Sequence, residues 1–125
     1  MFKIDKEDKT TIKCTRGDKG SITVRKKIDE NSYEPFYKGD RVIFSIKNNF
    51  GDSDVVLRKE IEVTDNTDSV TFSLTKEDTT IGDLISSPQR YQYDISINED
   101  ITILGFDDIT GTKYFILYPE GSNDV

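Results

Sequence analysis

The feature that most constrains this chain is alternation. Short segments place an apolar side chain at every second position. Val42, Phe44 and Ile46 alternate with Arg41, Ser45 and Lys47. Val70, Phe72 and Leu74 alternate with Thr71 and Ser73, and Tyr91, Tyr93, Ile95 and Ile97 alternate with Gln92, Asp94 and Ser96. Ile12 with Cys14, Ile22 with Val24, and Leu57 with Ile61 and Val63 follow the same rule, as do Ile101 with Ile103. Tyr114, Ile116 and Tyr118 close the series. Side chains repeat every second residue only in a strand, so each segment predicts a strand with one buried face and one wet face. Composition agrees. Ile, Val and Thr number 15, 7 and 13, and the chain has no Ala. β-Branched side chains are stiff at χ1 and fit a pleated surface, whereas Ala is the best helix former.

Turn chemistry separates the segments, as at Arg16-Gly17-Asp18-Lys19-Gly20, Lys38-Gly39-Asp40, Asn48-Asn49-Phe50-Gly51-Asp52, Asp65-Asn66-Thr67-Asp68 and Thr110-Gly111. About eight short strands with regular turns predict an all-β antiparallel sandwich or barrel. One segment departs from the pattern. Thr75-Lys76-Glu77-Asp78 reads as a helix N-cap with an acid three residues on, and Ile81, Leu84 and Ile85 follow at helical spacing before Pro88. A short helical segment is expected near 76–86. Residues 1–120 read as a single sandwich domain and 121–125 as a polar tail. Tyr91-Gln92-Tyr93 adds a finer signal. Immunoglobulin-like sandwiches carry a corner tyrosine two residues before a core position of strand F, and Tyr91 and Tyr93 have that spacing.

Charge and missing residues exclude whole classes of function. Lys plus Arg is 17 and Asp plus Glu is 24, a net charge of −7. Nucleic acid and anionic membranes both call for a basic footprint, so neither is the expected partner. No apolar run approaches the roughly 18 residues of a membrane helix, and Met1 to Glu7 has no signal-peptide character. The single cysteine, Cys14, cannot form an intrachain disulfide and shares the inward parity of Ile12. The chain has no His, so the commonest general base and metal ligand is absent. No phosphate-binding glycine motif and no EF-hand spacing occurs. Asp52 with Asp54, Asp65 with Asp68, and Asp107 with Asp108 read as solvated turns, with adventitious Ca²⁺ the other reading. Arg16-Gly17-Asp18 spells an adhesion tripeptide but reads as a tight turn. No catalytic residue, cofactor or metal is expected, and the chain is not expected to be an enzyme. A two-carboxylate glycosidase is the residual catalytic alternative.

The candidate contact residues lie in Tyr33-Glu34-Pro35-Phe36-Tyr37, a loop-like stretch with three aromatics. Exposed Tyr and Phe beside Pro suit a protein or glycan contact, so Tyr33, Phe36 and Tyr37 are the candidate partner residues. The alternative is that Phe36 or Tyr37 plugs the end of the sandwich.

An ordered set of short motifs runs along the chain. It comprises Thr15-Arg16-Gly17-Asp18, Pro35 to Lys38-Gly39-Asp40, Val42 to Lys47, Leu57-Arg58-Lys59-Glu60, Leu74 to Thr79, Tyr91 to Ile95 and Pro119-Glu120-Gly121. In that order the set resembles small phage and prophage proteins of low-GC Gram-positive bacteria, and is similar to the N-terminal domain of siphophage baseplate upper proteins. The bias toward Ile, Lys, Asn and Asp fits an AT-rich genome. The resemblance covers about Asp5 to Glu120. It implies an immunoglobulin-like β-sandwich without catalysis, docked to other tail or baseplate proteins in the virion after synthesis in the bacterial cytoplasm. In that family a helical linker and a receptor-binding part follow the domain. The sequence ends at Val125 without them, which leaves a free-standing prophage protein and a trimmed domain as alternatives. A carbohydrate-binding or adhesin-like module is the alternative function.

Overall fold

The computed structural model describes residues 1–29, 32–48, 55–82, 86–104 and 113–120. Six strands follow one another in a large sheet. In spatial order they are β1 (Phe2–Ile4), β2 (Ile12–Thr15), β11 (Tyr114–Tyr118), β9 (Gln89–Ile97), β6 (Arg41–Lys47) and β7 (Val55–Glu62). A seventh, β10 (Ile101–Leu104), pairs with the C-terminal half of β9, while β11 pairs with its N-terminal half. β3 (Gly20–Val24) and β8 (Val70–Leu74) form a second, antiparallel pair. β4 (Lys26–Asp29) and β5 (Ser32–Glu34) form a small hairpin. Among the described strands, all pairings are antiparallel except β2 with β11.

The result is an all-β sandwich. Its large sheet, in the order β11-β9-β6-β7, faces the β3-β8 pair across the core. An aromatic line ties the layers. The Tyr93 ring of β9 lies 5.5 Å from Phe44 of β6, and Phe44 lies 5.8 Å from Phe72 of β8. All three are buried. The two tyrosines of β9 both point into the core. Tyr91 is buried near the start of β9, and its hydroxyl lies 3.5 Å from where a Cβ on Gly82 would stand. Tyr93 holds the core position two residues on and donates its hydroxyl to the Thr10 carbonyl.

The inward residues of β2, β3, β8 and β9 are those that the alternation picks out. Four details differ. The described residues contain eleven strands, because β1, β4 and β5, of three or four residues each, are too short to show a period. β11 turns Phe115 and Leu117 inward rather than Tyr114, Ile116 and Tyr118. Phe115 sits between Ile12 and Tyr91, and Leu117 beside Cys14, so buried neighbours fix its parity. β6 buries Ile43 and Ser45 on its outer face as well, so the middle of the central strand is dry on both sides. The helix α1 spans only Lys76–Thr79. It begins as expected, with a capping box between Thr75 and Asp78. Leu84 and Ile85 lie outside the described residues, as do the tail 121–125 and the turns at 49–52 and 110–111.

Candidate functional site

The segment 33–37 leaves the β4–β5 hairpin and leads into β6. Tyr33 is on β5, and Pro35 ends that strand because it lacks the N–H a ladder needs. Phe36 then forms an isolated bridge with Thr67. Its N–H donates to the Thr67 carbonyl at 2.7 Å, and the Thr67 N–H donates back at 3.0 Å. Tyr37 opens a tight turn with Gly39 at φ +95°. The Asp40 carboxylate accepts from the Tyr37 N–H at 3.0 Å, and the Asn66 side chain accepts from the Lys38 N–H at 2.9 Å. Two backbone bonds to Thr67 and one to the Asn66 side chain therefore fix this stretch against the turn at 66–67, while Asp40 closes the turn on itself.

The three aromatics have different fates. Tyr33 is 47% exposed and Tyr37 is 49% exposed. Phe36 is fully buried, which corrects its expected role as a contact residue. Period-two logic does not apply to a residue between a proline and a turn, and the bridge to Thr67 turns the ring inward. Of the two readings of this stretch, Phe36 follows the plug.

Cations hold the exposed rings. The Arg25 guanidinium lies 3.9 Å from the centroid of Tyr33. Lys26 lies 5.2 Å from the Tyr37 ring and 5.6 Å from the Phe36 ring, and 3.9 Å from the Glu34 carboxylate. Ile101 of β10 joins this face at 60% exposure, and with Tyr37, Lys26, Glu34, Asp40, Ile97 and Asn98 it lines a shallow groove of about 370 Å³. The sequence reading missed Ile101, grouping it with Ile103 only as a short alternating segment. Its only signal is the Asn98-Glu99-Asp100 turn. Positive φ at both Asn98 and Glu99 makes a tight hairpin that swings β10 to the sheet margin.

A second cleft of about 520 Å³ is lined by Tyr33. Ile4, Ile12, Ile22, Val24, Tyr93 and Ile103 contribute to its walls. Asp8 stands at its rim. Its carboxylate accepts from the Thr11 hydroxyl and from the N–H groups of Thr11 and Thr10. Those bonds, the Thr11 hydroxyl first, pull its pKa down to about 2 from an ordinary 3.8. The folded value lies below the unfolded one. The stabilisation is therefore complete above about pH 4 and is lost as pH falls through 2. Thermal melts of the wild type are expected to lose several degrees across that window. Asp8→Asn is expected to flatten that part of the profile, and an unchanged profile would remove Asp8 from the account.

The other described candidates have structural surroundings. Burial pushes the Cys14 thiol up to about 11, and the side chain is wholly enclosed. Arg16 is buried and bonded, so the Arg16-Gly17-Asp18 triplet does not stand on a loop tip. Asp65 and Asp68 are exposed turn residues, while Asp52, Asp54, Asp107 and Asp108 lie outside the described residues. Among the described residues no group of three His, Cys, Asp or Glu side chains is placed to hold a metal ion. Among those residues no helix is long and apolar enough to cross a membrane. Comparison with protein-family models, with curated proteins and with solved structures gave no match.

Proposed function

We propose that this chain is a non-catalytic structural module of a phage or prophage, acting in the tail or baseplate through contacts with other virion proteins. The observation that carries the reading is the exposed apolar surface of Tyr37 and Ile101, which line one groove, with Tyr33 exposed beside a neighbouring cleft. Tyr is enriched where proteins meet, because it offers large area at low entropic cost. The hydrogen-bonded turn beneath Tyr37 pre-organises that face, so docking need not order a loop. The ordered motif set from Thr15 to Gly121 supports the virion setting by resemblance. A net charge of −7 keeps an unassembled subunit soluble. Glycan binding is the weaker reading, because the Arg25 guanidinium already covers one face of Tyr33.

The test is immunogold labelling of particles induced from the host strain. Label at the tail tip is expected. Intact particles without label, in cells that express the protein, would overturn the virion role. Within labelled particles, Tyr33→Ala with Tyr37→Ala is expected to cut incorporation about tenfold with no change in melting temperature. Full incorporation of that variant would move the contact elsewhere.

A further inference from the structure

β7 borders the large sheet and pairs only with β6 among the described strands. At eight residues it is the longest strand there with an unpaired side. A free edge is a row of unmet donors and acceptors, and most proteins keep theirs short or bent. The direction of its amides follows from its end. The Val63 N–H donates to the Asp40 carbonyl, and the Val63 carbonyl accepts from the Gly39 N–H, both at 2.8 Å. Val63 therefore faces the β6 side. Arg41, opposite Glu62, turns the other way and bonds Asn98. Successive residues of a strand alternate, and the register is unbroken from Leu57 to Glu62. So Leu57, Lys59 and Ile61 bond β6, while Arg58, Glu60 and Glu62 present their N–H and carbonyl groups outward.

A second copy of the chain offers the same edge. Outward amides must face outward amides, so an antiparallel pair of β7 strands centres on Arg58, on Lys59 or on Glu60. Each of these centres sets one charged residue against its own copy on the axis, so the neighbouring pairs decide. A centre at Lys59 sets Arg58 of each copy opposite Glu60 of the other, and Leu57 opposite Ile61 on the core side. The two Lys59 chains then meet at the axis, but each amine is already held 2.9 Å from its own Asp78 carboxylate. We propose that two copies of this chain join β7 to β7, antiparallel, about a two-fold axis at Lys59, so that the large sheet runs across both. The pairing is self-complementary and uses up the edge, so it closes as a dimer rather than growing into a fibre. It uses β7 and none of the Tyr33, Tyr37 and Ile101 side chains, and it does not depend on the virion reading.

Sedimentation equilibrium of the full chain tests it. At about 100 µM the wild type is expected to be dimeric. Arg58→Glu and Glu60→Arg are each expected to weaken the dimer about tenfold or more, and the exchanged pair Arg58→Glu with Glu60→Arg to restore it. Within the chain Arg58 meets Glu60 and Glu99 at 3.1 Å and Glu60 meets Arg41 at 3.6 Å, but these are exposed ion pairs worth little, so neither change threatens the fold. Register is read separately by oxidising a mixture of Arg58→Cys and Glu60→Cys chains. Facing residues there stand about 5.5 Å apart, within disulfide range. The mixed cross-link is expected to exceed either self-cross-link, with Cys14 silent in the core. A monomer at that concentration would overturn the proposal. So would a dimer indifferent to the single charge reversals, or self-cross-links that dominate. Tyr33→Ala with Tyr37→Ala is expected to leave the dimer intact, which separates this edge from the aromatic face.

Discussion

Phe36→Ala is expected to cost about 3–5 kcal/mol of folding stability, the range for emptying a fully enclosed aromatic site. Phe36 belongs to the continuous core with Phe44, Phe72 and Val63, and its ring has no exposure. The loss combines the transfer energy of the ring with a cavity that the pinned backbone cannot close. Phe36 and Thr67 exchange two hydrogen bonds, so the chain there has little freedom to collapse inward. A domain of this size holds about 5–15 kcal/mol in all, so this one change takes a large share. Tyr37→Ala, one residue on, is expected to stay within about 0.5 kcal/mol of wild type, because its ring is half exposed. Urea denaturation of the two variants measures the contrast. Equal midpoints would mean that the two neighbouring rings share one environment, and the separation of plug from contact would fail.

The same pair of residues shows where a sequence can be read and where it cannot. Val70, Phe72 and Leu74 sit between threonines and serines, so their face was legible, and β8 buries those three. Phe115, Ile116 and Leu117 are all apolar, so period two cannot choose a parity there. The choice belongs to Ile12, Cys14 and Tyr91, which are distant in sequence and adjacent in the sheet. Phe36 had no period to follow, and its burial depends on a bridge to a residue thirty-one positions away. Thr75 and Asp78 made the start of α1 legible, since a capping box is local chemistry. Of the contact face, Tyr33 and Tyr37 were legible as aromatics in a polar stretch. Ile101 was not, because exposure at a sheet margin depends on the hairpin at Asn98 and on what lies beside β10.

Arg16→Ala is expected to cost about 2–4 kcal/mol, the second large effect. The Arg16 Nε donates to the Ile81 carbonyl at 3.2 Å and one terminal nitrogen donates to the Gly82 carbonyl at 2.8 Å. The other meets the Glu120 carboxylate at 2.5 Å. One side chain thus binds the turn after β2 to the connection after α1 and to the end of β11. The ion pair is the smaller part, because Glu120 is 42% exposed and water can take over its charge. The two carbonyls decide the magnitude, since Ala leaves them without the donor that holds the connection in place. Arg16→Lys keeps the charge but lacks the planar fork that serves three acceptors, so it is expected to recover less than half of the loss. Asp18→Ala is expected to cost about 1 kcal/mol or less, because its carboxylate meets the terminal amine at an exposed site. The Asp18 contact that matters is its carbonyl, which accepts from the buried Thr79 hydroxyl at 2.8 Å and survives the substitution. An adhesion tripeptide would behave in the opposite way. Both charges would matter equally for cell attachment, and neither for stability. Melting curves of Arg16→Ala and Asp18→Ala therefore discriminate directly. A large loss for the first and almost none for the second identifies Arg16 as a clamp between three parts of the fold, while equal and negligible losses would break that account.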